Sequence, residues 1–84
     1  MQGLVTILAN PECPHCVHAT DLVTDWCCQM GLPVAGVDLA HHPEAAQPWR
    51  LEHSPAVVYE RGDGGRRVFA GFPTHDEFVA LTGP

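Results

Sequence analysis

The feature that most constrains this chain is a junction near its start. Leu4-Val5-Thr6-Ile7-Leu8 is short, apolar and rich in β-branched residues, which reads as a buried strand ended by Asn10-Pro11. Cys13-Pro14-His15-Cys16 follows directly. Beyond it Ala19, Leu22, Val23, Trp26 and Met30 recur at three- and four-residue spacing, an apolar stripe on a helix of about fifteen residues that runs to Met30. Pro14 suits the first turn of that helix, because its missing N–H would have no partner there. Gly31 and Pro33 stop it. A strand that turns into a helix within so few residues sets Cys13 at the helix N-terminus. Unpaired N–H groups and the positive end of the helix dipole favour a thiolate at that position.

The rest of the chain continues the pattern. Leu32 to Leu39 holds a second strand centred on Val34 to Val37. His41-His42-Pro43-Glu44 starts a short helix that Pro48 interrupts. Ala56 to Glu60 and Arg66 to Ala70 are strands joined by the turn Arg61-Gly62-Asp63-Gly64-Gly65, a β-hairpin. Thr74 to Leu81 is a closing helix, with Glu77 three residues after Thr74 in capping-box spacing. The order is β-α-β-α-β-β-α. A helix between the first two strands forces them parallel, and the hairpin adds two antiparallel strands. The expected fold class is α/β, one mixed four-stranded sheet flanked by helices, in a single domain spanning residues 1–84.

With 84 residues the core is small, but 45% hydrophobic and 17% charged residues suffice for a globular domain. The net charge of -6 comes from ten acidic residues against four arginines, with no lysine. That balance argues against nucleic acid, which requires a basic stripe. Arg61, Arg66 and Arg67 read as a solvated hairpin end. No signal sequence or membrane span is visible, so a monomer in the cytoplasm is expected. Stable disulfides are rare there, so four cysteines point to redox or metal chemistry.

Cys13 and Cys16 stand one helical turn apart, close enough for their sulfurs to bond. Cys13 is the expected nucleophile and Cys16 the resolving thiol. His15 adds a donor or positive charge beside the Cys13 sulfur, which would stabilise the reduced state. A haem-attachment reading fails because Val17 follows Cys16 where His is required. A zinc ribbon would want a second CxxC pair, and the chain offers only the adjacent Cys27-Cys28. A module that binds or delivers a metal through Cys13, Cys16 and a histidine remains the alternative. Cys27 and Cys28 lie roughly 17 Å along the helix from Cys16 at 1.5 Å per residue, outside reach of the exchange. Cys27 reads as a small core residue and Cys28 as exposed. Trp49 sits between two loop-prone segments.

Taken together, strand, CxxC, helix, strand, helix, then Ser54-Pro55 before a hairpin and a last helix, the chain resembles the thioredoxin superfamily over nearly its whole length. The short N-terminal strand is closest to glutaredoxin-like members. Ile7 is also glutaredoxin-like, since thioredoxins keep a buried acid six residues before the first cysteine. The Pro14-His15 pair is that of DsbA-type oxidants, whereas glutaredoxins usually carry Tyr there and a Gly-Gly then Asp signature before the last helix. The resemblance implies a thiol–disulfide oxidoreductase acting on protein or small-molecule disulfides without a bound cofactor. Glutathione or a reductase is the implied electron partner. It implies that Pro55 is a cis-proline facing the disulfide, and that the backbone of Ser54 pairs with the substrate chain. An interaction domain with incidental cysteines is the remaining reading.

Overall fold

Strand β1 (Leu4–Ala9) is the one on which the sheet is registered. A computed structural model describes residues 3–10, 12–44, 47 and 55–83, and the structural statements below concern these. Strand β2 (Val34–Asp38) pairs with β1 in parallel, Ile7 opposite Gly36. Strand β3 (Ala56–Glu60) pairs antiparallel on the other side, Ile7 opposite Val57. Strand β4 (Arg66–Ala70) folds back on β3, which completes the order β2-β1-β3-β4. The parallel pair needs a crossover, and helix α1 (Pro14–Met30) provides it. Gly31 ends α1 at φ 70°, and the N–H of Leu32 reaches back to the Cys27 carbonyl at 2.9 Å. A residue with a Cβ resists that left-handed backbone, so glycine suits the reversal into β2.

One face of the sheet holds the main core. Val5, Ile7, Val57 and Tyr59 pack there against Val23 and Cys27 of α1 and Phe78 of helix α2 (His75–Thr82). Trp26 stacks at an angle on Phe78, ring centres 5.4 Å apart. The buried residues of α1 are Cys16, Ala19, Val23 and Cys27. The expected stripe is corrected at its end, since Met30 is 43% exposed and Leu22 and Trp26 are half-buried. Cys16, Ala19, Val23 and Cys27 fall on one line of the helix, with Leu22 and Trp26 on its flank, so the buried stripe is narrower than expected and ends at Cys27.

On the opposite face Leu8, Ala56 and Val58 pack with Val37 and Leu39. Pro43, Glu44 and Gln47 take a 3₁₀ turn where the second helix is expected to start. The remainder of that expected helix, with Pro48 and Trp49, lies outside the described residues.

Helix α2 has the capping box read from its sequence. The Thr74 hydroxyl accepts from the Glu77 N–H at 3.1 Å, and the Glu77 carboxylate accepts from the Thr74 N–H at 3.0 Å. At its other end Arg67 of β4 donates to the carbonyls of Ala80, Leu81 and Gly83 at 3.1–3.3 Å. Arg67 is therefore more than a solvated hairpin residue. A cation at the carbonyl end of a helix also meets its dipole favourably. Arg61 and Arg66 fit the solvated reading, Arg61 with Asp63 at 3.4 Å and Arg66 with Glu60 at 3.9 Å. No described helix is long and apolar enough to cross a membrane.

Phe78 is fully buried and Val79 beside it is 45% exposed. Phe78→Ala is expected to cost about 3–5 kcal/mol of unfolding free energy by urea titration, from lost burial and the cavity left. Val79→Ala should stay within about 0.5 kcal/mol of the parent chain. Equal losses for the two would contradict this core assignment.

Candidate active site

The sheet register gathers the site. Antiparallel pairing sets Leu8 opposite Ala56, so Pro55 comes to the end of β1 from which the cysteine loop departs. Pairing of Ala56 with Ala70 brings Gly71 to the same edge, where its N–H donates to the Pro55 carbonyl at 2.7 Å. The parallel pair Ala9 with Asp38 adds the end of β2. Four strand ends and the start of α1 thus meet at one edge of the sheet. Ser54 lies outside the described residues.

Between β1 and α1 the chain makes a tight turn. Asn10 accepts twice, its side-chain oxygen from the Glu12 N–H at 2.9 Å and its carbonyl from the Cys13 N–H at 3.0 Å. This holds Cys13 as the N-cap of α1, with extended backbone at φ -95° and ψ 114°. Caps accept hydrogen bonds from the first-turn N–H groups, usually through oxygen. Here the acceptor is sulfur, and the Cys16 N–H donates to the Cys13 Sγ at 3.3 Å. That donor and the N-terminal end of the helix both face the sulfur. Pro14 opens the helix and is exposed, as is His15 beside it.

The two thiols differ in access. Cys13 is partly exposed and Cys16 is fully buried. Cys16 is fixed by the fold, since its residue forms part of the buried side of α1 and the Thr20 hydroxyl donates to its carbonyl at 2.8 Å. A threonine four residues along a helix reaches back in this way. The sequence reading passed over Thr20, although its spacing from Cys16 was visible.

Phe72 and His18 form a second wall. Their rings meet edge-on with centres 5.6 Å apart, and Phe72 remains 37% exposed. Pro73 behind it is fully buried. Gly71 takes φ 105°, which directs the chain from β4 across to this contact. Val17, bonded through its N–H to the Cys13 carbonyl at 3.2 Å, is 47% exposed. Exposed apolar and imidazole side chains thus stand along the first turns of α1. Among the described residues no group of three or more His, Cys, Asp or Glu side chains stands close enough to hold a metal ion. Ile7, where thioredoxins carry an acid, is 1% exposed and part of the core.

Cys27 and Cys28 occupy the far end of α1. Cys27 is fully buried, and burial first, then the adjacent Cys28, pushes its thiol up to about 11. Cys28 is exposed. Both match their sequence-based placement.

No protein-family profile matches the chain, and no curated protein sequence matches it. Solved structures do. Thioredoxin from Fasciola hepatica superposes with a TM-score of 0.80 at 20% identity, over 96% of this chain and 79% of that one. Desulfothioredoxin from Desulfovibrio vulgaris Hildenborough, in its reduced form, gives 0.78 at 23% identity, over 96% and 79%. The N-terminal domain of Synechococcus elongatus SasA gives 0.77 at 20% identity, over 95% and 78%. The chain has the thioredoxin fold.

The burial pattern sets an order of thiol reactivity. In a native alkylation followed by mass spectrometry, Cys13 and Cys28 should take label, while Cys16 and Cys27 take it only after denaturation. Native labelling of Cys27 at the rate of Cys28 would contradict it. The raised thiol has a stability consequence as well. Its folded value of about 11 exceeds the ordinary 9.0, so the unfolded chain loses that proton first as pH rises. The contribution of Cys27 is complete below pH 9 and should fade as pH climbs to about 11, an alkaline loss that Cys27→Ala would lack in denaturation curves.

Proposed function

We propose that this chain is a thiol–disulfide oxidoreductase working through Cys13 and Cys16. The observation that carries the reading is the N-cap position of Cys13, where the Cys16 N–H points at a partly exposed sulfur. A thiolate is both the nucleophile and the better leaving group in exchange, and this setting favours it.

The reaction runs in two displacements. The Cys13 thiolate attacks one sulfur of a substrate disulfide, forming a Cys13–substrate disulfide and releasing the other substrate sulfur as a thiolate. Cys16 then loses its proton and attacks the Cys13 sulfur. The Cys13–Cys16 disulfide forms and the second substrate thiolate departs. The substrate gains two electrons and the protein loses two; an external dithiol or reductase restores them. The same steps reversed oxidise a substrate dithiol. The burial of Cys16 lets the first attack go only to Cys13.

Substrate would lie along the edge between Phe72 and Pro55, with the Ser54 backbone as its pairing partner and Pro14 and His15 beside the reacting sulfur. Protein disulfides are the substrates this open edge favours. Glutathione is the candidate small thiol, which a glutaredoxin-type activity would use, and the cytoplasm the proposed compartment. His15 beside Cys13 favours the oxidising direction.

With dithiothreitol as electron source, Cys13→Ser should reduce insulin no faster than the reagent alone. Cys16→Ser should instead accumulate a mixed disulfide, seen as a mass adduct on Cys13. Unimpaired insulin reduction by Cys13→Ser would overturn the proposal. The potential of the pair gives its direction: about −270 mV marks a reductant and about −120 mV an oxidant.

A further inference from the structure

Beside the cysteine loop, on the α1 side of the sheet, a cavity of about 300 Å³ opens between the helix and edge strand β2. Ile7 and Ala9 give it apolar surface on the sheet. Val17, Thr20 and Asp21 form its helical wall, three positions on one face of α1. Gly36 and Asp38 form the strand wall. The space exists because Gly36 has no side chain, and a Cβ placed there would meet no atom within 4 Å. Asn10 and Val17 belong both to this cavity and to the turn that holds Cys13, so the two are continuous.

The ionisable side chains that line it are both acidic. Asp21 and Asp38 stand on opposite walls, and Glu12 adjoins Cys13. Asp38 pairs with His41 at 2.6 Å and accepts from the Ala40 N–H at 2.8 Å, and these bonds hold its carboxyl below the usual range. The arginines of the described residues, Arg61, Arg66 and Arg67, lie at the opposite end of the sheet, because β3 and β4 run away from the site to their hairpin. A volume of about 300 Å³ is at the small end of ligand sites, suited to one long side chain more than to a cofactor.

We propose that this groove receives the side chain of an arginine or lysine flanking the disulfide of a protein substrate. Its aliphatic stem would lie on Ile7, Ala9 and Val17, and its cationic head would reach the two aspartates. The inference rests on the disulfide-exchange reading and names its substrate class. Complementary charge acts mainly on the encounter rate and weakens with salt.

The test uses two otherwise identical disulfide peptides, one with arginines and one with glutamates beside the cysteine, and hydroxyethyl disulfide as an uncharged third substrate. At low ionic strength the arginine peptide should exchange at least about tenfold faster than the glutamate peptide, and the ratio should shrink towards one at high salt. Asp21→Asn, and Gly36→Leu filling the groove, should each lower the ratio. Glu60→Gln, at the hairpin end, should leave it unchanged. A ratio near one in the parent chain overturns the proposal, as does a ratio that Asp21→Asn and Gly36→Leu leave intact. In either case turnover of the peptides leaves the exchange chemistry standing. If none of the three substrates reacts faster with the parent chain than with Cys13→Ser, the oxidoreductase reading falls and takes the inference with it.

Discussion

The pairing of β1 with a parallel strand on one side and an antiparallel strand on the other is the constraint from which the rest follows. Because β1 is internal, its register fixes both neighbours at once. The direction of β2 requires α1 as the crossover, and the direction of β3 returns Pro55 to the point where α1 begins. The cysteine loop is thus the meeting place of elements far apart in sequence. Backbone hydrogen bonds locate it, and the side chains need only supply the chemistry.

That division explains how a small domain presents an accessible thiol. The core beneath the site is apolar, and no buried polar or charged side chain occurs among the described residues. Placing Cys13 at a helix cap obtains favourable electrostatics from groups the helix must expose anyway. With Ile7 in the core, the interior carries no acid there to desolvate. His15, His18 and Asp21 all sit towards solvent, where they cost the fold little.

Much of this architecture was legible in local sequence. Pro14 and Gly31 mark the ends of α1, Thr74 and Glu77 mark the start of α2, and the glycine-rich turn separates β3 from β4, because each acts within a few residues of itself. Met30 differs from its expectation because the apolar spacing cannot show where along the helix the core ends, and here it ends at Cys27. Gly36 was invisible for a similar reason. Within Val34 to Val37 it reads as an ordinary strand residue, and the missing side chain becomes a cavity only when α1 stands across from it. Arg67 bonds carbonyls 13 to 16 residues onward, a range beyond any spacing rule. Cys13, Pro14, His15 and Cys16 lie where the sequence places them, while Pro55 joins them only through register.

The guanidinium of Arg67 ties edge strand β4 to the last turn of α2. Gly71, Phe72, Pro73 and Thr74 connect those two elements, and Phe72 leans on His18 of α1. Strand and helix are therefore held together both by that guanidinium and by the connection between them. A cation at the far end of the sheet thus helps fix the segment that carries Phe72 to its contact with His18 of α1.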